Sequence, residues 1–475
     1  MKTAHPFVPA AFMLAAAVSA LPAPESSACA ETPARHYDRY FNHYADSFVT
    51  KAFVKYGGPK GNVTEPELRL DQVRELIRNA WEITGGMHQI VYLVGATDRG
   101  LDSGYPCNTN FNAACRSELS EDPLTAVRLA MREAKAKYNC DLSFHFNTSD
   151  AHEDSLDWQE CLDRDVLARD KDGTPKTCGF WKHISHAKDW KSGFAKKRID
   201  ATLKAIPELL DAKTIHCDAF YARTSEKDGI TLDDDKAGIR AIVDYWHGKG
   251  VDVTTEFITS TDMLGYFPMV WHNNLDEYQR VVYPIDLVCG GDDEWNGRRR
   301  SDYFNCVPIL ACAPAAGCLY EEAWGIGHWG DLRSRDLDRS RLVRQLFRTA
   351  ILFAWYNRNK VVAHEFTAEE YVVRRTGGVV ATVRTKDRHL TVKENGRLVV
   401  DGTDYFLDMP YGGGTLLVHS LKGCDRVFEL PADWKGCTRL EGRLQPAREQ
   451  VVLTPADGKV RVKLAAGEAL TLHRR

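Results

Sequence analysis

Two stretches decide the fold, TIHCD at 214–218 and VDVTTE at 251–256. Each is a run of apolar and β-branched residues that ends in a carboxylate, and a helix-length segment at 233–247 separates them. A strand, a helix and a second strand predict two parallel neighbours joined by a right-handed crossover. Because the carboxyl ends of parallel strands lie at one edge of a sheet, we expect Asp218 and Glu256 to meet there.

The same alternation of strands and helices extends along most of the chain. Further strands are predicted at 89–94, 141–147 and 285–289, where short apolar runs lie between turn signals. Helices are predicted by their periodicity at 70–83, 123–138, 192–210 and 337–358. The pattern indicates an α/β fold, a (β/α)8-type barrel over residues 70–365.

The ends of the chain differ from this central part. Residues 31–69 are polar and aromatic and are assigned to an N-terminal extension. From 366 to 475 the chain consists of short β-like runs, with hairpin turns at Asn395-Gly396 and Asp401-Gly402. No helix-length apolar pattern remains there, so a C-terminal antiparallel β-sandwich is predicted.

The first thirty residues have the pattern of a secretory signal. Lys2 precedes an apolar stretch at 7–21, and small residues follow at 28–30. We therefore expect residues 1–30 to be removed and the protein to be secreted or periplasmic. No other segment has the apolar length of a membrane span. The formal net charge of −4 gives no electrostatic reason to expect a nucleic acid as partner.

Cysteine usage agrees with export. Of the 13 cysteines, Cys29 lies in the signal and an even number remains, which suits disulfides in an oxidising compartment. Three pairs are close enough in sequence to close local loops: Cys107/Cys115, Cys312/Cys318 and Cys424/Cys437.

Face alternation brings a set of polar side chains together. Three of the predicted strands have one apolar face and one polar face, and in a barrel the polar faces point inward. A single carboxylate at a strand end is more often a helix cap, but a converging set favours a functional site. The inward set is His145, Asn147, His216, Asp218, Asp252 and Glu256.

The succession HFN at 145–147, HCDAFY at 216–221, VTTE at 253–256 and Trp271-His272 resembles the catalytic barrel of glycoside hydrolase families 101 and 129. These families are α-N-acetylgalactosaminidases that act on mucin-type glycans. The resemblance covers roughly residues 85–330, although this chain is shorter than the multidomain family 101 enzymes and has Trp-His where a His-Trp pair is expected. It implies that Asp218 is a nucleophile and Glu256 an acid/base.

The sequence thus predicts an exported, retaining α-glycosidase for α-linked GalNAc or galactose, with an oligosaccharide or glycoprotein glycan as substrate. Neither a cofactor nor a metal is expected, and the charge of Asp218 should raise the pKa of Glu256. The expected substrate-binding residues are His145, Asn147, His216, Tyr221, Trp271, His272, Asp293 and Trp295. Two alternatives are a carbohydrate-binding protein on a barrel scaffold and a metal-dependent hydrolase that uses His145, Asp150, His152 and Asp218.

Overall fold

The computed structural model describes residues 36–58, 64–257, 263, 265–268, 270–272, 330–387, 389–411 and 414–474. Ten strands precede residue 333 in this part of the chain. They are β1 (Phe48–Phe53), β2 (Gln89–Val94), β3 (Cys140–Phe146), β4 (Asp150–Ala151), β5 (Thr177–Cys178), β6 (Trp181–His183), β7 (Thr214–Cys217), β8 (Asp252–Phe257), β9 (Val270–His272) and β10 (Gly330–Leu332). Seven of them form a parallel sheet in the order β10-β1-β2-β3-β7-β8-β9, and β4, β6 and β5 form a small separate sheet.

Helices alternate with the parallel strands, as predicted. They are α1 (Leu70–Thr84), α2 (Pro123–Tyr138), α3 (Trp158–Asp163), α4 (His186–Lys191), α5 (Phe194–Ala205), α6 (Leu209–Ala212), α7 (Leu232–Gly248), α8 (Arg339–Gln345) and α9 (Ile351–Asn357). The helix predicted at 192–210 divides because Pro207 lies between α5 and α6. The Thr231 hydroxyl and the Asp234 carboxylate cap the start of α7 reciprocally. A π-helical turn, Leu346–Ala350, joins α8 to α9.

Strand β1 is a finding that sequence analysis missed. It lies inside the segment assigned to an N-terminal extension, yet it pairs with both β2 and β10 in the parallel sheet. All six of its residues are buried. The charge of Lys51 in the middle of FVTKAF hides the strand, because a buried parallel strand normally has a continuous apolar run.

The parallel sheet is strongly curved. The ammonium of Lys51 on β1 forms an ion pair with Glu256 on β8, although β2, β3 and β7 lie between these two strands. Four strand spacings in a flat sheet would separate the backbones by about 19 Å. A lysine and a glutamate side chain together are too short to span that distance, so the sheet must curve. The polar faces of the strands lie on its concave side.

The C-terminal part is antiparallel, as predicted. Its strands are β11 (Val361–Phe366), β12 (Glu370–Arg375), β13 (Val379–Arg384), β14 (His389–Glu394), β15 (Arg397–Asp401), β16 (Asp404–Met409), β17 (Thr415–Ser420), β18 (Cys424–Glu429), β19 (Leu440–Gln445), β20 (Glu449–Leu453), β21 (Lys459–Leu464) and β22 (Ala469–Arg474). Ten form one sheet, and the pair β18–β21 covers part of one face, where Phe406 stacks on Phe428 at 4.8 Å. The second layer of the sandwich therefore has only two strands.

The two parts of the chain are packed together at the end of α1. The Thr471 hydroxyl donates a hydrogen bond of 2.6 Å to the Ile83 carbonyl. Gly85 follows with a φ of 73°, and a Cβ at this position would lie 2.6 Å from a methyl of Thr415. Glycine is needed here both for its left-handed backbone and for the close approach.

The cysteine prediction is wrong for both pairs that can be examined. All eight described cysteines are free thiols, including Cys107, Cys115, Cys424 and Cys437. Proximity in sequence did not bring the sulfurs together, because each thiol packs against its own local partner; the Cys115 thiol, for example, donates to the Ala96 carbonyl. Cys312 and Cys318 lie outside the described residues. None of the described helices is long and apolar enough to cross a membrane.

Candidate active site

The predicted polar faces do meet on the concave side of the sheet. His145, His216 and Thr254 lie side by side in the register of β3, β7 and β8. The rings of the two histidines stack with centroids 4.9 Å apart, and Nδ1 of His216 lies 2.9 Å from the Thr254 hydroxyl. Because side chains alternate along a strand, Asp218 and Glu256 lie two residues further on, at the carboxyl ends.

Asp218 and Glu256 form a pair of carboxyl groups. Nε2 of His145 is 3.9 Å from one Asp218 oxygen and 3.6 Å from one Glu256 oxygen, so the two oxygens cannot be farther apart than the sum of these distances. The two carboxyl groups are in fact close enough to share a hydrogen bond. Each side chain is only 16% exposed. Two largely buried carboxyl groups in contact cannot both ionise easily, so the pair holds one proton between them.

Lys51 determines how this pair is charged. Its ammonium pairs with Glu256 from the opposite side of the curved sheet, and its side chain is 7% exposed. The charge of Lys51, together with the His145 and His216 rings at 3.6 and 3.8 Å, holds the pKa of Glu256 well below its usual range despite burial. Burial and the neighbouring charge of Glu256 raise the pKa of Asp218 well above its usual range. The expectation of a raised pKa for Glu256 is therefore wrong.

Both histidines are neutral in this environment. Burial and the charge of Lys51 lower the pKa of His145 and that of His216. A neutral imidazole can donate one hydrogen bond without adding charge. The two rings therefore solvate the Glu256 carboxylate without competing with Lys51 as counter-ion.

A second network supports Asp218 from the loop after β3. The Asn147 amide donates 2.8 Å to the Asp150 carboxylate and lies 3.5 Å from Asp218. Asp150 is fixed in turn by His183 at 2.9 Å and by Arg223 at 3.4 Å. These contacts keep the pKa of Asp150 below its usual value, in spite of burial. Asn147, a predicted site residue, thus links the carboxylate of Asp150, which its partners hold in place, to the carboxyl group of Asp218.

The backbone at Asp218 is also unusual. Its amide donates to the Phe146 carbonyl at 2.8 Å, which ties it to the end of β3. Ala219 follows with a φ of 49°, a left-handed conformation that non-glycine residues seldom adopt. Such outliers occur preferentially at functional sites, where the surrounding structure holds them.

Asp102 brings a third carboxyl group to the same rim. It lies in the loop that follows β2. In this loop the Leu101 carbonyl accepts backbone hydrogen bonds from the segment after β1, and the Tyr105 carbonyl accepts a hydrogen bond of 2.9 Å from the His152 amide. Asp102 has a φ of 63°. Burial, then the charges of Asp150 and Glu256, raise its pKa to about 6. A carboxyl held in a strained, partly buried position beside the pair suits a ligand contact.

The donors of His145, His216 and Glu256 lie close enough together to surround a metal ion. The ammonium of Lys51, however, already contacts the Glu256 carboxylate and supplies the positive charge there. The alternative of a metal-dependent hydrolase has little support, because the Asp150 carboxylate is already bound by His183 and Arg223. His152 in turn packs among aromatic rings, with Tyr105 at 5.0 Å. The four residues of that alternative are not gathered around one point, and we assign no metal to the site.

Asp252 does not belong to the site, contrary to the convergence expected from its face. It lies at the other end of β8, where its carboxylate accepts hydrogen bonds from the backbone amides of Phe41 and Asn42 and from the Tyr44 hydroxyl. Face alternation places a residue on the correct side of a strand but does not say at which end a ligand approaches.

The structure describes the remaining predicted site residues only in part. Tyr221 is half-buried, with the Arg223 guanidinium 4.4 Å from its ring. Trp271 and His272 lie on β9, which pairs with β8, but their side chains are outside what the structure describes. Asp293 and Trp295 lie outside the described residues. Sequence reasoning missed Lys51 and Asp102; the one available signal was a lysine within an otherwise apolar six-residue run.

Comparison with known proteins identifies the fold. No family model matches the sequence, and no curated protein does. Among solved structures, the chain is similar to the ligand-free α-N-acetylgalactosaminidase NagBb from Bifidobacterium bifidum, with a TM-score of 0.53 and 13% identity over 73% of this chain. The GalNAc complex of that enzyme gives a TM-score of 0.51 and 14% identity over 74% of this chain.

The chain thus shares the fold of a glycoside hydrolase of this kind, and the resemblance to α-N-acetylgalactosaminidases is confirmed for the structure. The alignments span 58% of the length of NagBb, so the comparison does not extend to the whole of that enzyme.

Proposed function

We propose that this protein is a glycoside hydrolase in which Asp218 and Glu256 are the catalytic carboxyl groups. One observation carries the proposal: two largely buried carboxyl groups at the ends of adjacent parallel strands both lie within 4 Å of the same His145 nitrogen on the concave side of the sheet. A binding protein has no need of such a pair, whereas glycoside hydrolysis uses one carboxylate and one carboxylic acid. We also propose that the curved sheet closes into a (β/α)8-type barrel, with the site at its carboxyl end.

The pair suits a retaining mechanism. An inverting enzyme leaves about 6.5–9.5 Å between its carboxyl groups for a water molecule, whereas the common contact of Asp218 and Glu256 with His145, at 3.9 and 3.6 Å, favours the closer spacing of a retaining pair. In the double displacement, Asp218 attacks the anomeric carbon while Glu256 protonates the leaving oxygen. Glu256 then takes a proton from the water that cleaves the glycosyl ester.

This assignment requires the proton to change place before the chemistry begins. The pKa of Asp218 is raised and that of Glu256 is lowered, which favours the proton on Asp218. Because the two carboxyl groups lie side by side, the proton can pass directly from Asp218 to Glu256 without another carrier. The sugar itself occupies the space beside the pair, with His145, Asn147 and His216 as the described groups that can bind its hydroxyls. Tyr221, Trp271, His272, Asp293 and Trp295 complete the proposed binding set.

For the substrate we propose α-linked GalNAc, or galactose, of mucin-type or related glycans. The structural similarity to an α-N-acetylgalactosaminidase, including its GalNAc complex, supports this choice. We further propose that the signal at 1–30 directs the protein to the periplasm or the exterior, where such glycans occur.

The test is turnover of nitrophenyl α-GalNAc and α-galactoside, compared side by side. Hydrolysis of either, with the α-anomer as first product, supports the proposal. Absence of turnover with both, in protein that binds the sugars, indicates the carbohydrate-binding alternative.

Azide rescue then separates the roles of the two carboxyl groups. With Asp218→Ala, azide replaces the nucleophile and should give a β-glycosyl azide from an α-glycoside. With Glu256→Ala, azide attacks the glycosyl-enzyme and should give the α-glycosyl azide. The opposite pairing of variants and products would exchange the two roles.

A further inference from the structure

Lys51 is an unusually buried lysine. It lies on β1 between two parallel neighbours, and the whole residue is 5% exposed. Lysine is rarely buried unless its charge is paired, because removing an ammonium from water costs several kcal/mol. Here the ammonium pairs with Glu256 across the concave side, on a strand four positions away in the sheet.

We propose that Lys51 is a positioning residue, whose ammonium decides on which of the two carboxyl groups the shared proton rests. The inference rests on the proposed function in so far as the pair is taken to be catalytic. The geometry of the pair itself does not depend on that function.

The surroundings of Glu256 show why Lys51 has this effect. The charged or titratable groups that face it from the packed elements are Lys51 on β1, Asp102 after β2, His145 on β3, and His216 and Asp218 at β7. His145 contacts both carboxyl groups at similar distances and so does not distinguish between them. Asp102 adds negative charge to both. The Lys51 ammonium is in direct ion-pair contact with Glu256, and its charge also acts on Asp218, where it opposes the effect of burial.

The direct test is a carboxyl titration that needs no substrate. In protein carrying glutamate labelled with ¹³C at the side-chain carboxyl, the Glu256 signal is the one absent from Glu256→Gln. We expect Glu256 in the wild type to stay ionised well below the usual range. In Lys51→Met, which keeps the stem and removes the charge, its titration should move upward by about one pH unit or more.

Two matched variants control for unrelated effects. Lys51→Arg retains a cation and should keep the Glu256 titration low, which also reports on Lys51 if the methionine variant does not fold. Lys249→Met removes a lysine that pairs with Asp200 at 2.9 Å, at the opposite end of the strand that carries Glu256. It should leave the Glu256 titration unchanged. An unshifted titration in folded Lys51→Met, or an equal shift in Lys249→Met, would overturn the inference.

A kinetic readout follows if the wild type turns over a glycoside. Loss of the cation raises both macroscopic pKa values of the pair, so the acid limb of the kcat/KM profile should move to higher pH by about one unit. A purely structural role for Lys51 would lower the rate without moving that limb. A wild type without turnover would contradict the proposed function, whereas the carboxyl titration would still decide on Lys51.

Discussion

Strand β8 carries one carboxylate at each end of its inward face, and the two are held in different ways. At the amino end, Asp252 accepts hydrogen bonds from two backbone amides and the Tyr44 hydroxyl, at 2.8–3.3 Å. At the carboxyl end, Glu256 contacts a lysine, two histidines and a second carboxyl group. The partners of Asp252 cannot titrate near neutral pH, whereas those of Glu256 include groups that can.

This difference separates stability from chemistry within one strand. Fixed donors that bond a buried carboxylate stabilise the fold and give it a single charge state. A carboxyl group held against another carboxyl group has its pKa shifted by that neighbour, which is costly for stability but useful for proton transfer. The two ends of β8 should therefore respond in opposite ways to the same substitution.

The largest expected effect is on turnover at the carboxyl end. Asp218→Ala and Glu256→Ala should each lower kcat for a natural glycoside by at least about 10³-fold, because each removes a group that takes part in bond making or proton transfer. The fold should persist in Asp218→Ala, which keeps the ion pair of Lys51 with Glu256, whereas Glu256→Ala removes that carboxylate and should also lower stability. Steady-state kinetics and circular dichroism measure the two properties. A folded variant with the wild-type rate would remove that residue from the mechanism.

Asp252→Ala should have the reverse profile. Loss of the carboxylate leaves the partly buried amides of Phe41 and Asn42 without this acceptor and should lower the free energy of unfolding by about 1–3 kcal/mol. Denaturant unfolding gives the value, and kcat per folded molecule should stay within about threefold of wild type. A large fall in kcat without loss of stability would mean that the amino end of β8 contributes to the site after all.

Asp102→Asn should change the stability of the protein in a way that depends on pH. The folded pKa of Asp102 is raised to about 6, so its stabilising effect is complete below the unfolded pKa and is lost as the pH rises through 6. The neutral amide avoids that loss. We expect the variant to be more stable than wild type by about 1–3 kcal/mol at pH 8 and no more stable at pH 4. Thermal unfolding at the two pH values tests this, and a gain that does not depend on pH would contradict the assigned cause.

The smallest expected effect is that of a chelator. Because the Lys51 ammonium supplies the cation beside Glu256, incubation with EDTA should leave kcat unchanged within error. Loss of activity that zinc or another divalent ion restores would favour a metal at His145, His216 and Glu256 instead.

Local signals in the sequence predicted a good part of the fold. Helix α2 and strand β2 have the bounds expected from their periodicity, because Pro123 fixes the helix start and a run of buried residues defines the strand. The inward faces of β3, β7 and β8 also followed from alternation. Strand β1 could not be found in this way, because Lys51 interrupts its apolar run. The burial of this segment becomes apparent only when its partner strands are in place.

The sequence by itself determined the order of strands and helices, the faces of the strands, and the two carboxyl groups that meet at their ends. These features depend on periodicity and on neighbours along the chain. Only the tertiary structure decided that Asp252 supports the fold, that Lys51 reaches Glu256, and that the pKa of Asp218 is raised while that of Glu256 is lowered. Those outcomes depend on burial and on charges more than 150 positions apart in the chain, such as Lys51 and Glu256. Coulomb interactions and desolvation act through space, and no local pattern encodes them.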